Sequence, residues 1–162
     1  MKVYQVQHAE AEPKEIDPAR PLTQRGRQDV ERVANLIKRL RLDVQQIQHS
    51  GKLRAEQTAT ALGEALSPSG GVVAVSGLGP ADDVLPVADE LNSVLESVML
   101  VGHLPFLERL TGQLLLGDPH QSLVQFKNAG IVCLEREEER WQIAWIITPL
   151  IAYASPIELH ID

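Results

Sequence analysis

The stretch Ser97-Val98-Met99-Leu100-Val101-Gly102-His103-Leu104-Pro105 decides the fold class. Its apolar run shows no polar alternation, which fits a strand covered on both faces, as in a parallel sheet. Gly102-His103 ends the strand, and Pro105 can sit in the first turn of a helix reaching Leu116. The same strand-then-helix phrase precedes it. Residues 2–6 form a first short strand stopped by Gln7-His8, and Glu10–Pro21 is a proline-rich loop. Thr23 offers an N-cap to a helix with Val30, Val33, Ala34, Ile37 and Leu40 on one face. A strand over Val44–Gln48 leads through His49-Ser50-Gly51 to a helix over Leu53–Leu66, which Ser67-Pro68-Ser69-Gly70-Gly71 terminates. Val72–Val75 is a third strand, Gly77–Asp83 a loop, and Val84, Val87, Leu91 and Leu95 mark a further amphipathic helix. The remainder changes character, with Leu123–Phe126, Gly130–Glu135 and Trp141–Thr148 alternating like antiparallel strands.

Alternating units of this kind predict a three-layer α/β/α sandwich with a mainly parallel central sheet. A length of 162 residues with 44% hydrophobic side chains suits one domain over 1–162 with its own core. Fifteen Lys and Arg against twenty-two Asp and Glu give a net charge of −7, which argues against nucleic acid as a partner. The N-terminus shows no apolar signal-peptide stretch and no window is long enough for a membrane span, so the expected location is the cytoplasm, with no membrane partner. The one cysteine, Cys133, lies in an apolar run and is expected to pack rather than react.

In a doubly wound sheet, ligands bind at the carboxyl edge of the strands. His8, His49-Ser50 and His103 stand at strand ends, and Arg54 falls in a first helical turn, so the topology can bring them together. Histidines with an arginine at a helix N-terminus suit an oxyanion, and inorganic phosphate is the natural ligand. A neutral imidazole can attack phosphorus while a second one and a guanidinium stabilise the equatorial oxygens. Such chemistry needs no metal and no cofactor, and neither is expected.

Four segments, Gln7-His8-Ala9-Glu10-Ala11, Arg20-Pro21-Leu22-Thr23, Leu53-Arg54-Ala55-Glu56-Gln57-Thr58 and Val101-Gly102-His103-Leu104-Pro105, occur in the order seen in the histidine phosphatase (phosphoglycerate mutase-like) superfamily. The chain resembles its SixA-type phosphohistidine phosphatase branch over roughly residues 1–150, including Phe126-Lys127-Asn128-Ala129-Gly130-Ile131. The resemblance implies that fold without a large cap insertion. It also implies that His8 is the nucleophile, that Arg54 and His103 hold the phosphoryl oxygens, and that Arg20 adds a phosphate contact. The partner it implies is a phosphorylated histidine-containing phosphotransfer protein.

The chain departs from that pattern where Arg-His-Gly becomes Gln7-His8-Ala9. Gln7 can donate to a phosphate oxygen but brings no charge, a loss of the kind that costs about 10²–10³ in rate. Removing that cation is also expected to raise the pKa of His8. Ala9 matters only if its backbone is left-handed or closely approached. His49-Ser50-Gly51 stands where the family has Ser-Ser-Pro, and His49 reads as an ordinary strand-end residue. Two other functions stay open: a phosphate- or phosphoprotein-binding module without turnover, favoured by Gln7, and a small-molecule phosphomonoesterase. The latter needs a general acid, for which Asp82 and Asp83 are weak candidates. For Arg54 the bland alternative is a surface ion pair with Glu56 or Asp83. Trp141 and Trp145 are expected on one sheet face, packing, and Glu135–Arg140 reads as a solvated hairpin turn.

Overall fold

A computed structural model describes residues 1–154; residues 155–162 of the expected unit lie outside the described residues. Six strands, β1 (Lys2–Gln7), β2 (Gln46–His49), β3 (Val72–Ala74), β4 (Val98–Gly102), β5 (Ile131–Glu137) and β6 (Arg140–Ile147), form one sheet in the order β3-β2-β4-β1-β5-β6. The first four run parallel, and β5 and β6 are antiparallel to their neighbours. All five residues of β4 are buried, as its unbroken apolar run requires of a central strand.

Helices α1 (Gln24–Leu40) and α2 (Leu53–Leu66) cover one face with the short α5 (Pro149–Tyr153), while α3 (Leu85–Ser93) and α4 (Phe106–Leu116) cover the other. Each face has its own apolar layer, since alternate residues of β1 point opposite ways: Tyr4 and Val6 toward α1 and α2, Val3 toward α3 and α4. In α4, Phe106, Leu107 and Leu110 are fully buried, each contributing about 1.5–3 kcal/mol. That outweighs any preference of the isolated segment, so packing fixes this helix.

Thr23 caps α1 as expected, its hydroxyl accepting from Gly26 N at 3.0 Å. Gly26 is required for a second reason: a Cβ there would stand 2.1 Å from the carbonyl oxygen of Glu10. Through that close approach, and through Thr23 N donating to the same carbonyl at 3.0 Å, the loop after β1 is pinned to α1. Cys133 is buried, and burial pushes its thiol up to about 11, which suits packing and not reactivity. No helix among the described residues is long and apolar enough to cross a membrane.

Several expectations are corrected. Leu40 and Leu95 are exposed, because α1 closes at Arg41 and α3 ends at Ser93 before either side chain can reach the core. Leu123–Phe126 is not a strand: Val124 and Phe126 are buried in the layer below α4, but their backbone pairs with no strand. The tryptophans lie on opposite faces. A register shift between Cys133 and Leu134 sets two residues of β6 against one step of β5, and such a bulge reverses the alternation beyond it. Trp141 therefore packs in the α3/α4 layer, and Trp145 meets Tyr4 on the α1/α2 side at 5.8 Å between ring centroids. The charged run is not simply solvated either. Only Glu138 and Glu139 make the turn, both with positive φ, while Arg136 donates to the carbonyls of Leu91, Asn92 and Val94 at the end of α3. A cation there also complements the helix dipole.

Candidate active site

Parallel pairing of β1 with β4 sets Gln7 opposite Gly102, so the residues that follow, His8 and His103, leave the sheet side by side. Their ring centroids are 5.0 Å apart. His8 N donates to the carbonyl of Gly102 at 3.1 Å, tying the two strand ends together. Because β4 lies between β1 and β2, the end of β2 contributes as well, and Ser50 Oγ is 2.6 Å from His103 Nε2. The third contribution comes from α2. Arg54, in its first turn, donates from Nε to His8 Nε2 at 3.2 Å.

These contacts assign the His8 tautomer. Nδ1 lies 2.7 Å from the carbonyl oxygen of Ala9, an acceptor only, so Nδ1 carries the proton and Nε2 offers a lone pair. That lone pair faces Arg54. Thr58 fixes the framework: its hydroxyl accepts from Ala9 N at 3.0 Å and donates to Arg54 O at 2.7 Å. From the far side, Asn128 donates to His8 O at 2.9 Å and Ala129 N to Gln7 O at 3.0 Å. The late segment Phe126–Ile131 therefore clamps the backbone that presents His8, a role its sequence did not reveal.

Both histidines are neutral at pH 7. Burial, followed by the charges of Arg54 and Arg20, lowers His8 to about 4 against the opposing hydrogen bond to Ala9. Burial, then His8, Arg54, Lys52 and Arg20, lowers His103 to about 3. The rise expected for His8 from the cation missing at Gln7 is outweighed: burial and two other arginines hold it below the ordinary value. Burial and Arg20 also lower Arg54, which stays charged because a guanidinium does not lose its proton in proteins.

Arg20 acts at a distance that its sequence position conceals. It has φ 53, a left-handed conformation costly for a side chain. Its Nε donates to Glu12 O at 3.0 Å, and its charge is felt by His8, Arg54 and His103. Gln7 is partly exposed, with its Oε1 buried and unpaired. Ala9 is fully buried and does not have positive φ, so its methyl group brings no left-handed strain.

The other candidates have structural duties. His49, 5% exposed, accepts from Gly51 N through Nδ1 at 3.2 Å and braces the turn after β2. Asp82 accepts from Gly79 N at 2.7 Å and Asp83 from Leu85 N at 3.1 Å, so both carboxylates hold the loop before α3. Among the described residues Arg54 forms no ion pair with Glu56 or Asp83. A groove of about 560 Å³ lined by Glu10, Arg25, Arg32, Lys127, Asn128 and Tyr153 adjoins the site. A larger one of about 700 Å³, between α1 and α2, contains none of His8, Arg54 and His103.

No family model matches the chain. In sequence it is 30% identical over 123 residues to phosphohistidine phosphatase SixA of Escherichia coli K12, with 73% of this chain and 76% of the relative aligned. In structure it resembles the protein histidine phosphatase SixA complexed with tungstate, with a TM-score of 0.81 and 26% identity over 93% of this chain and 98% of the other. A mycobacterial glucosyl-3-phosphoglycerate phosphatase in complex with VO3 has a TM-score of 0.69 and 17% identity over 89% and 97% of the two chains. At that identity it shares the fold alone.

Proposed function

Because this chain belongs to the SixA family of histidine phosphatases, we propose that it is a cofactor-independent phosphatase acting on phosphohistidine in a histidine-containing phosphotransfer protein. The observation that carries the reading is the state of His8: neutral, with its Nδ1 proton committed to Ala9 and its Nε2 lone pair beside Arg54. Nε2 attacks phosphorus as the P–N bond to the substrate imidazole breaks, and the departing ring takes a proton from solvent. Water then attacks the phosphorylated His8, the P–Nε2 bond breaks, and inorganic phosphate leaves. Arg54 and His103 hold the equatorial oxygens, with Arg20 adding charge and Gln7 a neutral donor. An imidazole leaving group needs little acid assistance, which suits a chain whose candidate acids, Asp82 and Asp83, accept from backbone N–H groups of the loop before α3.

The test is phosphate release from a phosphorylated phosphotransfer domain, with His8→Ala as control and an alkaline quench to trap phosphorylated His8. Release that vanishes in the variant, with label on His8 in the parent, is expected. No release with phosphoprotein binding retained would favour the second reading, a module without turnover, for which the uncharged Gln7 speaks. Release from small phosphoesters but not from phosphohistidine would replace both.

A further inference from the structure

His103 has a ring held at one point. Its Nε2 meets Ser50 Oγ at 2.6 Å, whereas its Nδ1 is buried with no hydrogen-bond partner among the described residues. Whatever bonds Nε2 therefore decides how the imidazole is turned. Ser50 comes from another part of the sheet, the turn after β2, and that turn is built to present it. Gly51 takes φ 81, a left-handed conformation that glycine adopts without strain, and its N–H is fixed on the buried imidazole of His49.

Ser50 Oγ also receives Lys52 N–H at 3.5 Å; a hydroxyl oxygen has two acceptor sites and one proton, so it can still either donate to His103 Nε2 or accept from it. Toward a neutral ring with no proton on Nε2 it donates. An incoming phosphoryl group changes this requirement, since its negative charge favours a protonated ring, in which both nitrogens are donors. A hydroxyl can reverse from donor to acceptor by rotating its hydrogen, with no movement of heavy atoms. An amide or a carboxylate at this position would fix one direction.

We propose that Ser50 is a positioning residue of the phosphoryl site, its hydroxyl holding His103 by Nε2 and serving that ring in both its neutral and its protonated state. The inference rests on the reading of His8, Arg54 and His103 as the phosphoryl-handling groups. It adds a residue that acts through His103 and needs no contact with substrate.

The test reads the ring directly. In ¹⁵N-labelled protein without phosphate, the His103 ring nitrogens should show one tautomer, fixed by the bond to Ser50. Ser50→Ala should average the two tautomers and weaken binding of inorganic phosphate about tenfold, the effect of one lost hydrogen bond. Ser50→Thr, which keeps the hydroxyl at a partly exposed position, should restore both. A ring pattern unchanged in Ser50→Ala, a phosphate affinity within twofold of the parent, or a folded Ser50→Thr that behaves like Ser50→Ala would overturn the assignment. Turnover plays no part in these readouts. A protein with the expected ring behaviour and no phosphohistidine hydrolysis would sink the phosphatase reading and leave Ser50's role in place.

Discussion

The carboxyl ends of β1, β2 and β4 and the antiparallel hairpin β5–β6 belong to one sheet, yet they treat buried polar groups in opposite ways. At the parallel end, Gln7 Oε1 and His103 Nδ1 are buried without partners among the described residues, as is Gln5 Nε2 within β1. In the hairpin, the indole N–H of Trp141 donates to Asn92 Oδ1 at 2.8 Å, and the Arg136 fork is spent on three carbonyls at the end of α3. An unpaired buried group costs about 1–3 kcal/mol. The parallel end thus carries a stability penalty that these hairpin groups, being paired, do not.

The largest effect expected is on packing. Trp141, 8% exposed in the α3/α4 layer, should cost about 3–5 kcal/mol on truncation to alanine, read as a fall in the urea midpoint. Activity per folded molecule should not change. If Trp141→Ala instead removed activity from protein that remained folded, the hairpin would be part of the site and the contrast would fail.

Next comes Gln7→Arg. An arginine at the end of β1 adds a charged donor beside His8 and should raise phosphohistidine turnover about 10²–10³-fold, the usual weight of one preorganised donor. It should also lower His8 further, in the same direction as Arg54 and Arg20. A rate left unchanged would mean that more than the charge at position 7 is missing.

The strand–helix alternation was legible because buried parallel strands and amphipathic helices have distinct periods, and the convergence of His8, Arg54 and His103 was legible because they stand at the ends of those elements. What alternation could not show is any departure from it. The bulge opposite Cys133 and Leu134 has no sequence mark, so counting by twos put Trp141 and Trp145 on one face. Val124 and Phe126 alternate and are buried, but alternation reports burial and not a strand partner. Arg136 was lost in a charge run, since its acceptors are carbonyls of a helix end more than forty residues away. Ser50 and Asn128 are single polar residues in turns, where no period exists to single them out. The start of α5 does carry a signal, Thr148 as N-cap followed by Pro149, masked by the alternating strand pattern that runs into it.

The smallest effect expected is a silence. With His8 at about 4 and His103 at about 3, their ring resonances should not move between pH 8 and pH 5.5, where an ordinary histidine titrates. The sign for stability follows. Both folded values lie below the unfolded one, near 6.5, so on acidification the unfolded chain takes up protons first. The stability these two groups contribute is present above pH 6.5 and is lost as pH falls toward and through the folded values. His49, lowered chiefly by burial, adds in the same direction, whereas β5 and β6 contain no histidine. Between pH 6.5 and 5, above the ordinary carboxylate range, the decline in unfolding free energy should therefore arise at the site end of the sheet. Replacing His8 and His103 together by asparagine should flatten most of that slope. A slope that survives the double replacement would place the acid sensitivity elsewhere and remove the electrostatic half of the contrast.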